Sequence, residues 1–133
     1  VGFPGETDED IEATLSLMRE VRFSYAFMYH FNPREGTPAA RMQNKIPETI
    51  KHERLTRVIE LQKTITRNLM EERVGRIDEV LIERVARRHR GEVLGRTQRD
   101  EMVAFPASSA RIGELSKVKL LSLEGNTFRA EEV

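Results

Sequence analysis

The sequence contains no cysteine. Without thiols the chain forms no disulfide and offers no thiolate ligand to a zinc ion or an iron–sulfur cluster. It also has no apolar run near the roughly 18 residues that a membrane-spanning helix needs, and no signal peptide is visible. These absences lead us to expect a soluble, cytoplasmic protein without disulfides or a membrane span.

An excess of charge of one sign is also missing, because 22 Lys and Arg balance 22 Asp and Glu. The distribution is nevertheless uneven, since Glu92 is the single acid between Arg84 and Arg99. The guanidinium fork can donate two parallel hydrogen bonds to a phosphate. The stretch therefore predicts a phosphate-binding strip, with a merely solvated face as the alternative. Its arginines are Arg84, Arg87, Arg88, Arg90, Arg96 and Arg99.

Motifs for metal and nucleotide chemistry are scarce. The histidines His30, His52 and His89 lack the spacing of metal ligands, so the sequence predicts no protein-only metal site. The Gly-rich stretch Gly2–Thr7 lacks the Lys-Ser/Thr ending of a phosphate-binding loop, so it does not predict ATP or GTP binding.

The first half of the chain has the pattern of a βαβ unit. Thr7 and the acids that follow it indicate a helix start. The aromatic-rich run Phe23–Phe31 predicts a buried strand. The loops Gly2–Thr7 and Asn32–Pro38 would then lie on one face of a parallel sheet. A second helix should begin at Pro47 and end near Arg73, before Gly75.

After Gly75 the hydrophobic period changes to near two. Short apolar runs alternate with turn signals about every ten residues, which predicts a five-stranded β-barrel of the OB type. Phe105 and Phe128 are expected in its core. The predicted fold class is therefore α+β, with the barrel in the second half.

Three segments carry a resemblance to a known family. They read VGFPGETDEDIEATL, FMYHFNPREGTPAARM and VLGRTQRDEMVAFP. Together they resemble the methylthiotransferase family of radical S-adenosylmethionine enzymes, most closely its tRNA methylthioadenosine synthases (the MiaB type). The resemblance implies that residues 1–67 are the C-terminal part of a radical-SAM α/β barrel (TIM-like, partial) plus a connecting helix. It implies that residues 68–133 are a TRAM β-barrel that binds RNA.

The resemblance also implies an activity for a longer enzyme. That enzyme would transfer a methylthio group to an N6-isopentenyl-type adenosine beside the tRNA anticodon, using two 4Fe-4S clusters and S-adenosyl-L-methionine. The family's cluster-binding CxxxCxxC motif lies upstream of the segments matched here. We therefore expect a C-terminal fragment that is inactive alone, binds no cofactor, and works with the missing N-terminal cluster and radical-SAM domains on the anticodon stem-loop.

Site residues follow from the same resemblance, and none of them is catalytic or a metal ligand. A loop beside the S-adenosylmethionine site would comprise Gly2, Phe3, Pro4, Gly5, Glu6 and Thr7. A loop near cofactor or substrate would comprise Asn32, Pro33, Arg34, Glu35, Gly36, Thr37 and Pro38. Gly95, Arg96 and Thr97 match the TRAM segment. Thr97 and the arginine strip, which already includes Arg96, are the predicted RNA contacts, with a structural role for Arg96 as the alternative.

Three alternatives stay open. A related type modifies an aspartate of a ribosomal protein, but it usually carries an acidic Asp-Ala-Pro-Glu-Ile-Asp segment where this chain has Gln98–Pro106. A type that acts on threonylcarbamoyladenosine in tRNA is not separated by this half of the sequence. The barrel could also be a structural or protein-interaction module that does not bind RNA.

Overall fold

The computed structural model describes residues 1–87 and 91–133. They form two compact units, Val1–Thr66 and Arg67–Val133. The helices are α1 (Asp8–Val21) and α2 (Glu48–Glu71), with 3-10 turns at Ala39–Arg41 and Ser109–Arg111. The strands are β1 (Ile77–Val85), β2 (Glu92–Thr97), β3 (Met102–Pro106), β4 (Leu115–Glu124) and β5 (Thr127–Glu132).

Helix α1 begins as the sequence predicts. The Thr7 hydroxyl accepts a hydrogen bond from the Asp10 amide at 3.2 Å, and the Thr7 amide donates to the Asp10 carboxylate at 2.8 Å. This reciprocal capping box satisfies backbone donors that the first helical turn leaves free. Ile11, Leu15 and Met18, spaced by three and four residues, form the buried face.

The prediction of a buried strand at Phe23–Phe31 is wrong. No strand occurs among the described residues before β1. A strand needs a paired strand that satisfies its backbone hydrogen-bonding groups. Here the pairing is limited to one residue, Val1. The Val1 nitrogen donates to the Tyr29 carbonyl at 2.9 Å, and the Phe31 amide donates to the Val1 carbonyl at 2.7 Å. These two bonds follow the pattern of a parallel ladder but extend no further.

The side chains of this segment are not buried either. Phe27 is 81% exposed and Tyr29 is 73% exposed. Two donors from α2 hold the start of the segment, because Gln62 bonds the Phe23 carbonyl at 2.7 Å and Thr66 bonds the Ser24 carbonyl at 2.8 Å. Residues 1–66 as described therefore do not form the partial α/β barrel that the resemblance implied.

The five-stranded barrel predicted for the second half is confirmed. Its strands close in the order β1-β2-β3-β5-β4. Neighbouring strands are antiparallel except β3 and β5, which run parallel with Val103 opposite Phe128. Closure matters because it leaves no strand edge free to pair with another chain.

The barrel interior follows the period-two pattern. In β2 the buried positions Val93, Gly95 and Thr97 alternate with half-buried ones. Phe105 and Phe128 are fully buried, so their predicted core positions are confirmed. Met70 at the end of α2 packs into the same core. Within residues 1–87 and 91–133, neither helix has the length and apolar character needed to cross a membrane.

Candidate nucleic-acid interface

A groove of about 480 Å³ lies on the outside of the barrel. Residues of β1, β2, β3 and β5 line it, together with Glu124 at the end of β4 and the start of the β1–β2 connection, so the groove borders the β1–β2 and β4–β5 connections. OB-type barrels bind oligonucleotides on the face of strands 2 and 3 and on these two connections. We call it the β2–β3 groove. Its described lining residues are Arg84, Val85, Ala86, Arg87, Glu92, Leu94, Ala104, Glu124, Thr127 and Arg129.

A β-bulge brings Arg84 to this groove. Val80 and Ile82 point into the barrel, so strict alternation would also turn Arg84 inward. The pairing of β1 with β2 shifts instead between Ile82 and Arg84, which leaves Glu83 as the extra residue. Beyond the shift, Arg84 lies opposite Leu94 on the outer face. Bulges re-aim side chains in this way, and no local pattern announces them.

Arg129 forms a wall of the groove that the sequence analysis did not find. Its guanidinium pairs with the Glu92 carboxylate, and that hydrogen bond is the main reason why the pKa of Arg129 is raised. Phe128 and Ala130 on either side are buried, so alternation along β5 places Arg129 outside. Its position beside β2 and β3 depends on the parallel pairing of β3 with β5, which the sequence does not signal.

The groove carries one excess positive charge, because three arginines face two glutamates among its described lining residues. Arg129 is already paired with Glu92. Arg84 and Arg87 are both exposed, and no ion pair joins either to another described residue. Among the described lining residues, these two guanidinium groups are therefore the cations available to an incoming phosphate.

Arg96 lies near the opposite end of β2 from the groove. It donates to Glu83 at 3.3 Å, across the β1–β2 pair, and to the Asp100 carboxylate at 2.6 Å. The bond to Asp100 is the main cause of its raised pKa. Arg96 is thus bonded to the adjacent strand and to the following turn and not across the barrel, while its structural role and its role in RNA binding both stay predictions.

Thr97 is the buried last residue of β2, with 5% of its surface exposed. Its hydroxyl donates to the Glu101 carboxylate at 3.0 Å, and that carboxylate also pairs with Arg73. The same hydroxyl accepts from the Arg99 amide at 3.2 Å. These bonds use the Thr97 hydroxyl within the protein, and its predicted contact with RNA stays a prediction.

Of the remaining predicted cations, one lies within the described residues and two do not. Arg99 is exposed and lies in the turn between β2 and β3, away from the β2–β3 groove. Arg88 and Arg90 lie outside the described residues, so their predicted contacts stay predictions. The described part of the predicted strip therefore forms two groups at opposite ends of β2. Arg84 and Arg87 lie at the groove, and Arg96 and Arg99 lie at the other end.

In the first unit, the loop Gly2–Thr7 is tied down by its own polar groups. The Gly2 amide donates to Glu6 at 2.8 Å, and the buried Arg54 also donates to that carboxylate at 2.8 Å. The Thr7 hydroxyl caps α1. These carboxylate and hydroxyl groups are used within the protein, which leaves the half-exposed Phe3 ring and the backbone to line a ligand.

The loop Asn32–Pro38 starts beside the first loop. Phe31, just before it, packs its ring edge against Phe3 with centroids 5.2 Å apart. The loop itself closes on Thr37, whose hydroxyl donates to the Arg34 carbonyl at 2.7 Å. Asn32 and Arg34 line a separate cavity of about 420 Å³. Glu35 and Gly36 are exposed. The predicted contacts of both loops with cofactor or substrate stay predictions.

An iron–sulfur cluster does not fit this chain. Protein-bound clusters are held chiefly by cysteine thiolates, and the sequence has no cysteine. We therefore derive no chemical step through a cluster from these residues.

Comparison with known proteins gives two findings. Residues 71–133 match the family model of the TRAM domain. The whole chain is similar to proteins named tRNA-2-methylthio-N(6)-dimethylallyladenosine synthase. The Treponema denticola synthase is 46% identical over 132 residues, covering 98% of this chain and 29% of the relative. The Carboxydothermus hydrogenoformans synthase is 42% identical over 133 residues, covering 100% and 30%. Over nearly its whole length the chain is therefore similar to these synthases.

The similarity extends along the whole chain, since the Aquifex aeolicus synthase is also 41% identical over 94% of it. The chain spans about 30% of the length of these relatives. The resemblance stated from the three sequence segments is thereby confirmed. The alternative of a ribosomal-protein methylthiotransferase is not favoured, because these relatives are named for a tRNA nucleoside.

Proposed function

We propose that this chain is the C-terminal part of a tRNA methylthiotransferase and that its TRAM barrel holds the tRNA. The single observation that carries the RNA-binding role is the β2–β3 groove, where Arg84 and Arg87 stand exposed and without an acidic partner among the described residues. The groove occupies the face that OB-type barrels use for oligonucleotides. The names of the relatives supply the substrate class.

Binding through this groove is mainly electrostatic. Single-stranded nucleic acid usually stacks its bases on exposed aromatic rings. The second unit has no Tyr or Trp, and its two Phe residues are Phe105 and Phe128. Both are fully buried. Phosphate contacts from Arg84 and Arg87 are left as the main attraction, so the affinity should fall steeply with salt.

The whole enzyme divides its work along the chain. We assign residues 1–67 to its catalytic domain and residues 68–133 to RNA binding at the anticodon stem-loop. Its two 4Fe-4S clusters would bind to cysteines outside this sequence, and S-adenosyl-L-methionine would contact this chain only through the lining loop Gly2–Thr7. The isolated chain is then inactive, and the enzyme modifies tRNA in the cytoplasm.

A binding titration tests this proposal. A fluorescently labelled anticodon stem-loop is titrated with the chain at several salt concentrations, and anisotropy gives the Kd. The double variant Arg84→Gln/Arg87→Gln removes the two cations that have no acidic partner among the described residues of the groove. We expect weaker binding and a salt slope that is shallower by about 1.4 to 1.8, from about 0.7 to 0.9 for each lost phosphate contact.

The matched control is Lys117→Gln/Lys119→Gln. Both lysines are exposed on β4, outside the groove, and their loss changes the net charge equally. The control should keep the slope of the unmodified chain. If both double variants lose the same affinity and slope, the groove has no special role. If the unmodified chain fails to bind at low salt, the TRAM barrel does not hold the RNA.

A further inference from the structure

The structure brings together two histidines and a glutamate that are distant or unremarkable in the sequence. One ligand atom from each of His30, Glu48 and His52 lies within 4.8 Å of the other two. The two imidazole rings are 5.0 Å apart between centroids. All three residues belong to the first unit and lie outside the β2–β3 groove. The sequence analysis predicted no such cluster, because the histidines lack the spacing of metal ligands.

Two features of the fold create the cluster. Glu48 is the first residue of α2, and His52 lies one turn later on the same face. His30 comes from the extended segment before the loop Asn32–Pro38. That segment is held to α2 by Lys51, whose ammonium group donates to the Phe31 carbonyl at 3.0 Å. The backbone contacts of the neighbouring residue therefore bring His30 to the start of the helix.

The donor set suits a transition metal ion. Two imidazole nitrogens and one carboxylate oxygen can provide three ligands of a tetrahedral Zn²⁺ site, with the fourth position left for water. The His30 Nδ1 lies 3.3 Å from the Phe31 carbonyl oxygen. If Nδ1 carries the proton and donates it there, Nε2 is left as the ligand, and metal-binding histidines commonly have such a backbone acceptor.

Glu48 is prepared as an anionic ligand. Lys51 pairs with its Oε1, which leaves Oε2 as its second oxygen. A carboxylate binds a metal in its ionised form, and the Lys51 ammonium group beside Glu48 provides a partner for that negative charge.

We propose that His30, Glu48 and His52 bind one divalent transition metal ion, with Zn²⁺ as the best match to the donor set. The ion ties the segment that precedes the loop Asn32–Pro38 to the first turn of α2. The proposal is independent of RNA binding, because no residue of the β2–β3 groove takes part.

Isothermal titration calorimetry with zinc chloride tests the site, using the chain in a non-coordinating buffer at about pH 7.5. We expect one Zn²⁺ per chain. His30→Gln and His52→Gln should each weaken the affinity by about tenfold or more, by analogy with the 10- to 100-fold losses seen even for supporting groups. His89→Gln and Glu53→Gln are the matched controls and should bind as the unmodified chain does.

Thermal unfolding with and without zinc is a second test, which separates loss of metal binding from loss of folding. Zinc should raise the melting temperature of the unmodified chain and the controls, and the shift should be lost in His52→Gln. His52 is exposed, so this variant should melt like the unmodified chain in the absence of zinc even if His30→Gln folds poorly. Absence of stoichiometric binding, or binding that survives both His30→Gln and His52→Gln, would overturn the proposal.

Discussion

At the scale of one residue, Gly95 of the Gly-Arg-Thr segment shows why β2 needs a glycine where it pairs with β1. A Cβ at this position would lie 2.4 Å from the Leu81 carbonyl oxygen and 2.5 Å from the Val80 Cγ1. One of these neighbours is backbone on the paired strand and cannot move without disturbing the barrel. Glycine is therefore needed here for the close approach of β1 and β2.

The substitution Gly95→Ala should accordingly destabilise the barrel. We expect a loss of about 2 kcal/mol or more, the range found when atoms are forced into a packed interior. Hydrogen exchange of amides in β2 and β3 measures it, because these report the unfolding of the barrel separately from the first unit.

Gly125→Ala is the control for that change. Gly125 has φ of +60°, but the space that an alanine Cβ would occupy there is open, so alanine meets a backbone cost without a clash. A left-handed backbone costs a non-glycine residue about 1 to 2 kcal/mol. If Gly95→Ala proves no more destabilising than Gly125→Ala, the close packing of β1 and β2 has been misjudged.

At the scale of elements, α1 depends on its capping box. The Thr7 amide is the first cause of the lowered pKa of Asp10, followed by the Thr7 hydroxyl. A carboxyl whose pKa is lowered by folding stabilises the folded state above its ordinary pKa. That contribution is lost as the pH falls below the ordinary value of 3.8 through the lower folded value.

Asp10→Asn should therefore lower the melting temperature at neutral pH, and its difference from the unmodified chain should shrink as the pH falls below about 4. Circular dichroism at several pH values measures both. Glu9→Gln is the matched control, since it removes a first-turn charge that takes no part in the box. Equal effects of the two variants would mean that the helix dipole accounts for the stabilisation without the box.

Local sequence patterns predicted most helices and strands but not how the strands pair with one another. The Thr7 cap, the end of α2 before Gly75 and the barrel strands all follow from residue types and hydrophobic period. The bulge at Glu83 and the place of Arg129 did not, because one depends on a register shift and the other on a parallel strand pair distant in sequence. The aromatic run Phe23–Phe31 misled for the same reason, since composition does not supply a pairing partner.

For the whole molecule, the sequence resemblance predicted the kind of relative that the comparisons found, and the structure added the groove that we propose for RNA. The predicted strip included Arg84 and Arg87, which line the β2–β3 groove, and Arg96, which is engaged by two acids. Only the folded barrel separates these cases, because the three arginines look equivalent in the sequence. The proposed metal cluster likewise depends on a fold that brings His30 to α2.

Chemical-shift mapping by NMR tests the central proposal most directly. The ¹⁵N-labelled chain is titrated with an unlabelled anticodon stem-loop at low salt. If the β2–β3 groove holds the RNA, the largest amide shifts will cluster at Ala86, Leu94, Ala104 and Thr127, around the groove walls. Shifts confined to the outer face of β4 around Lys117 and Lys119, or no shifts in residues 67–133, would contradict it.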